Sequence, residues 1–131
     1  MASLSDFAIW PVLAASDPGR AKKWYEEKLG LTPKKEDETG GMWYEFAGGT
    51  WLLMYLTPNA GTARNTQAHF EVTDLESLVD DLRSRGVVLE EYDFGEMGKT
   101  ENGIIEVMGW KTAWFKDSEG NTFEIAQPPG A

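Results

Sequence analysis

No cysteine occurs among the 131 residues, which excludes disulfides, thiolate metal sites and cysteine nucleophiles. Histidine occurs once, as His69, so a paired-histidine zinc motif is excluded as well. No run of 18 apolar residues is present, so no membrane-spanning helix is expected. Residues 1–7 have neither a basic region nor an apolar core and do not read as a signal peptide; a cytoplasmic location is the expectation. Basic residues are scarce: 12 Lys and Arg face 22 Asp and Glu, a formal net charge of -10. Phosphate backbones and anionic lipid repel such a surface, which argues against nucleic-acid and membrane partners and for a neutral or cationic small molecule. Acidity also serves plain solubility. There is no Ser-centred nucleophile elbow, and the glycine-rich turns lead into strands, not into the helix that phosphate binding needs.

What the chain does contain is an internal repeat. Asp17-Pro18 opens an amphipathic stretch that Leu29-Gly30 closes, and Asp74-Leu75 opens another that Arg85-Gly86 closes. The two Asp positions lie 57 residues apart and the two Gly positions 56. Two copies of one unit share a core, and the cleft between them is a natural ligand site. Asp17 and Asp74 are good helix N-caps, Pro18 suits a first helical turn, and Gly30 and Gly86 suit helix stops. Ala21, Trp24, Tyr25 and Leu29 fall on one face of the first helix, and Leu75, Leu78, Val79 and Leu82 on one face of the second.

Strand-like runs surround both helices. In the first copy they are 7–15, distorted or at an edge because of Pro11, then 32–38, 42–47 and 50–57. In the second they are 66–73, 87–92, 111–116 and 121–127, the last two forming a hairpin around 117–120. Each copy thus reads strand, helix, three strands. The expected organisation is one domain over 1–131, with module one at 7–57, a turn-rich linker at 58–65, module two at 66–127 and a frayed tail. Between the helix-ending and hairpin glycines the first copy has 19 residues and the second 34. The surplus, 93–109, reads either as a lid or pocket wall or as a surface hairpin with its strand at 104–108.

Three segments resemble a known family. Residues 24–31 (WYEEKLGL), 69–75 (HFEVTDL) and 115–125 (FKDSEGNTFEI) are similar to the helix end, second-module entry and last hairpin of the vicinal oxygen chelate superfamily. That superfamily includes glyoxalase I, bleomycin- and fosfomycin-resistance proteins and extradiol dioxygenases. Ser118 stands where the family pattern has Pro. The resemblance covers about 7–127. It implies an α+β fold of two tandem βαβββ modules whose sheets form a cup, the glyoxalase/bleomycin-resistance fold, often in a homodimer. Because this fold hosts many chemistries, it does not fix a function.

In the metal-dependent members, one ligand sits on the first strand and one on the last strand of each module. The repeat transfers these positions here: seven residues before each capping Asp lie Trp10 and Gln67, and four after each hairpin Gly lie Leu53 and Glu124. Trp10 and Leu53 offer no ligand atom, and neither 7–15 nor 50–57 contains His, Asp, Glu or Gln. A hard divalent cation needs several oxygen or imidazole donors, so no cofactor is expected; a divalent metal on Gln67, His69 and Glu124 is the alternative. His69 reads as an acid/base paired with Glu124 or Glu71, as a polar pocket residue, or as a structural hydrogen-bond partner. Glu124 needs a partner too: a ligand cation, Gln67, His69 or open water.

Six tryptophans are many for this length, and large aromatics serve a core, a pocket or an interface. The resemblance and the repeat imply that Trp10 faces the cup and that Phe115 packs under the helices, so that alternation turns Trp114 and Trp110 into the cup; Trp24 falls in the core. The reading that follows is a small-molecule-binding protein without a catalytic metal. It holds a planar or cationic ligand in a Trp-lined cup through Trp10, Leu53, Gln67, His69, Trp110, Trp114 and Glu124. The competing readings are a glyoxalase-like lyase or isomerase using His69 and Glu124, with or without a divalent metal, and a dimerisation module whose cup is filled.

Overall fold

The computed structural model describes residues 2–130. Asp17 caps the first helix as expected, its carboxylate accepting the Arg20 N–H at 3.0 Å. That helix, α1 (Pro18–Trp24), continues as one π-helical turn over Tyr25–Leu29 and stops at Gly30, whose φ of 69° is left-handed. In α2 (Leu75–Ser84), Asp74 accepts the Ser77 N–H, and Leu75, Val79 and Leu82 are buried along one side. Strands β1 (Val12–Ala15), β2 (Lys35–Glu36), β3 (Met42–Glu45) and β4 (Trp51–Leu56) complete module one. Strands β5 (Ala68–Glu71), β6 (Ile105–Val107), β7 (Trp110–Lys116) and β8 (Thr122–Gln127) complete module two.

The two sheets have the same order, β1-β4-β3-β2 and β5-β8-β7-β6. In each, the first strand runs parallel to the last and the other pairings are antiparallel. The repeat seen in the sequence is therefore a repeat of topology. Among the described residues no helix is long and apolar enough to cross a membrane.

Three expected strands differ. The run 7–15 yields a strand only from Val12, because Pro11 has no N–H to give a ladder; its carbonyl still accepts the Leu53 N–H at 3.1 Å. The run 32–38 shrinks to two paired residues. The run 87–92 makes a single bridge, Leu89 to Phe115, and is not a strand. Its place in the sheet is taken by β6, inside the 93–109 surplus, so that segment supplies the module's missing strand. The Met108-Gly109 turn, with both φ positive, joins β6 to β7 in the manner of a two-residue hairpin.

One core serves both modules. Tyr25 stacks near Tyr44 of its own module and meets Phe123 of the other, and Trp24 lies over Phe115. Polar groups lock the same junction. The buried Asp117 carboxylate accepts the Tyr25 hydroxyl at 2.6 Å, the Asn121 amide, and the N–H groups of Glu119 and Asn121. Asn121 also donates to the Ala14 carbonyl. The Glu119 side chain, wholly buried, accepts from Arg20 and from the N–H groups of Ser16 and Asp17. Gly120 closes this turn against the linker: a Cβ there would lie 2.8 Å from the Gly61 Cα. The 117–121 hairpin is thus a clasp across the modules.

Burial pushes the Glu119 carboxyl up, but hydrogen bonds from Arg20, Asp17 and Ser118, with the Arg20 charge, outweigh it and hold the group below its ordinary 4.5. The unfolded chain then takes up this proton first as pH falls. The stabilisation is complete above 4.5 and is lost as pH drops through the lower folded value. Urea midpoints measured between about pH 3 and pH 7 should therefore fall more steeply on acidification for the wild type than for Glu119→Gln; parallel curves would contradict this account.

Candidate functional site

A groove of about 540 Å³ opens between the modules, within the range of small-molecule sites. It runs between the chain entering β1, the start of β4 and the edge strand β5. Trp10 and Trp51 form one wall, with ring centroids 6.3 Å apart. Gln67, His69 and Glu71 form the other, and Phe46, Phe70 and Phe123 lie at its base. The lining is mostly apolar with a few polar groups, the usual chemistry of a pocket for a flat organic molecule.

β5 explains the polar wall. His69 and Glu71 are two residues apart on one strand and so project from the same face, while Phe70 between them points back toward the core. His69 lies beside Glu124 in the parallel ladder, and its Nδ1 is 2.6 Å from the Glu124 Oε1. Of the partners open to His69 in the sequence, Glu124 is the one it meets. Glu71 has no hydrogen bond or ion pair among the described residues, which leaves an unneutralised, exposed carboxylate on the groove.

Gln67 lies in the groove wall, but its carboxamide is consumed. It donates to Asn121 Oδ1 at 3.0 Å and accepts the Thr122 N–H at 2.9 Å. Leu53 is partly buried, set between Val12 and Trp43 in the ladder, and does not line the groove. Nor do Trp110 and Trp114. Trp114 lies opposite Glu124 in the β7–β8 ladder, so parity places it on the His69 face. Tyr92 and Phe94 pack on its ring, each with centroids 5.4 Å away, and its indole N–H donates to Thr66. The segment before β6 therefore covers this tryptophan. Trp110 sits at the exposed start of β7.

The residues present do not fit a metal ion. Of the four family ligand positions, Trp10 and Leu53 carry no donor, Gln67 is committed to the β8 backbone and Asn121, and Glu124 is bonded to His69. Among the described residues no three His, Asp or Glu side chains gather into a set that can hold an ion. Groove residues outside the sequence reading of the site include Trp51, Phe46, Phe70 and Glu71 as a free anion. Trp51 was accessible by counting back two from Leu53 along β4. The two phenylalanines come from opposite modules, 5.5 Å apart, and no local pattern joins them.

No curated protein sequence matches the chain. Solved structures resemble it in fold at low identity. A glyoxalase/bleomycin resistance protein from Catenulispora acidiphila superposes with a TM-score of 0.66 at 21% identity, covering 92% of this chain and 97% of that one. TnmS3, an antibiotic binding protein from a Streptomyces species, gives 0.66 at 20% identity, covering 93% and 97%. The fosfomycin resistance protein FosX from Listeria monocytogenes gives 0.68 at 13% identity, covering 99% and 97%. The sequence pattern of one family extends over residues 8–125, nearly the whole repeat, and with the doubled βαβββ topology it shows that the chain belongs to the Glyoxalase/Bleomycin resistance protein/Dioxygenase superfamily.

Proposed function

We propose that the protein binds a planar, cationic small molecule in the groove between its modules, without a metal or other cofactor. The observation that carries this reading is the pairing of an indole wall, Trp10 and Trp51, with an unneutralised carboxylate, Glu71, in one groove. Indole faces attract flat rings and cations, and an unpaired carboxylate beside them adds Coulomb attraction. The net charge of -10 favours the same class of guest. The antibiotic-binding relative TnmS3 supports a binding role on this fold. The groove's volume counts against a module whose cup is filled by its own side chains.

A homodimer is part of the proposal. Phe7, Val12 and Tyr55 are exposed, apolar surface beside β1 and β4 that a second copy would cover.

Isothermal titration with N-methylquinolinium, and with neutral quinoline as its control, tests the binding reading. The cation should bind with a Kd below about 1 mM and more tightly than quinoline. Glu71→Gln should weaken the cation about threefold to tenfold and leave quinoline unaffected. Equal binding of both probes, or none, would overturn the proposal.

One observation favours a second reading. The 2.6 Å contact between His69 and Glu124 orients the imidazole for proton transfer, the arrangement a metal-independent isomerase or lyase needs. That reading requires turnover of a carbonyl substrate that His69→Ala and Glu124→Gln both remove.

A further inference from the structure

Behind the groove lies a second cavity of about 180 Å³, between the end of the π turn, α2 and the inner face of module two's sheet. Every side chain lining it is apolar; Leu31, Val72, Leu78, Leu82 and Ile125 form most of its wall. Only Phe46 and Phe70 line both this crevice and the groove. Their rings meet edge to face with centroids 5.5 Å apart. Phe70 stacks on Phe123, which is on the groove side, and Phe123 on Phe115, which is on the crevice side.

We propose that the crevice is an apolar subsite of the groove, closed from it by the Phe46–Phe70 pair. Its occupant is a ring or short branched alkyl arm carried by the same small molecule whose planar head lies in the groove. Size supports this: the crevice, open to solvent past the partly exposed Leu29, Leu31, Val72 and Leu78, exceeds the roughly 150 Å³ that accepts one benzene ring. Chemistry supports it as well, because no polar side chain in the crevice would reward water or a charged group. The partition can move at modest cost. Phe46 is only partly buried, and the turn behind it carries two left-handed glycines, Gly48 and Gly49, with nothing packed where a Cβ would be. Turning Phe46 outward joins the two spaces without unpacking the fully buried core. Phe70, held on β5 against Phe123, is the fixed half of the pair.

The inference rests on the binding reading of the groove, and the test separates the two. N-methylquinolinium and N-benzylquinolinium share a head and differ by one ring. The benzyl compound should bind the wild type about tenfold more tightly, the gain from burying one aromatic ring. Phe46→Ala should widen that ratio. Leu78→Phe and Leu78→Trp, which fill the crevice from α2, should return the ratio to one and leave N-methylquinolinium unchanged. Two fillings of different size guard against one that fails to fold. A ratio near one in the wild type, or a ratio unmoved by both fillings, overturns the subsite. If neither cation binds, the groove reading falls, and fluorobenzene then decides the crevice alone. Methyl shifts confined to Leu78, Leu82 and Ile125 uphold an apolar ring site there, and their absence overturns it.

Discussion

Asp117→Ala should destabilise the fold by about 3–5 kcal/mol in urea unfolding, a large part of the roughly 5–15 kcal/mol that holds a domain of this size together. Asp117 is buried and accepts four hydrogen bonds. Alanine leaves the Tyr25 hydroxyl without an acceptor in a site where that residue has no exposed surface. It also orphans the Glu119 and Asn121 N–H groups of the 117–121 turn. Each unsatisfied buried donor costs about 1–3 kcal/mol, and the losses overlap because the groups share one site. Tyr25→Phe removes only one of the four bonds and should cost about 1–2 kcal/mol. Burial first, and then the Asp117 charge and hydrogen bond, raise the Tyr25 hydroxyl well above the ordinary phenol value. A cost below 1 kcal/mol for Asp117→Ala would mean that this carboxylate is not what joins the modules.

Trp10→Ala and Trp51→Ala together should weaken N-methylquinolinium binding about thirtyfold to hundredfold, with each single change giving about fivefold to tenfold. Both residues are partly exposed on the groove, so neither holds up the core, and thermal unfolding should shift little. Their rings lie at 55° with centroids 6.3 Å apart, too close to sandwich a ring between parallel faces. They make an angled wall, and a flat guest is expected to lie mainly along one indole and touch the edge of the other. A loss smaller than the product of the singles would indicate that the two rings act as one surface. Loss of the fold in either single variant would show instead that the wall is structural. Trp114→Ala, whose ring lies under Tyr92 and Phe94, should leave the cation's affinity unchanged.

The fold was legible because its signals are local and occur twice. Asp17, Pro18, Gly30, Asp74 and Gly86 punctuate the helices within one turn of their ends, and periodicity in α2 names its buried residues. The strand at 87–92 was misplaced for a physical reason. Its apolar alternation, Val87 and Leu89 inward and Val88 outward, reflects packing beside the end of β7, where one bridge forms and no ladder follows. The paired strand, β6, is three residues long and held between positive-φ turns, too short to show a period. The hairpin at 115–125 could be read as a motif, but its purpose could not. Its polar residues answer Ser16, Asp17, Arg20 and Tyr25, about a hundred positions earlier.

The site was legible in part. Trp10, Gln67 and His69 reach the groove; the offset from the capping Asp leads to Trp10 and Gln67, and His69 stands out as the single histidine, two residues from Gln67. Leu53 and the tryptophans of β7 do not reach it. Parity along a strand gives the face of a side chain but not what covers that face. Tyr92 and Phe94 cover Trp114 from a segment that no repeat predicts, since module one has no equivalent. Gln67 shows the converse limit. A carboxamide at a family ligand position looks available in the sequence, and only the neighbouring β8 N–H and Asn121 reveal that it is committed.

The central claim is that the ligand site lies between Trp10, Trp51 and Glu71, and that no metal ion takes part in it. A crystal structure of the protein grown with N-methylquinolinium tests this most directly. The predicted result is the aromatic ring against the indoles of Trp10 and Trp51, its charged nitrogen toward Glu71, and the His69–Glu124 contact intact. A ring bound on the Trp110 and Trp114 side of β7, or an ion held between His69 and Glu124, would contradict the account.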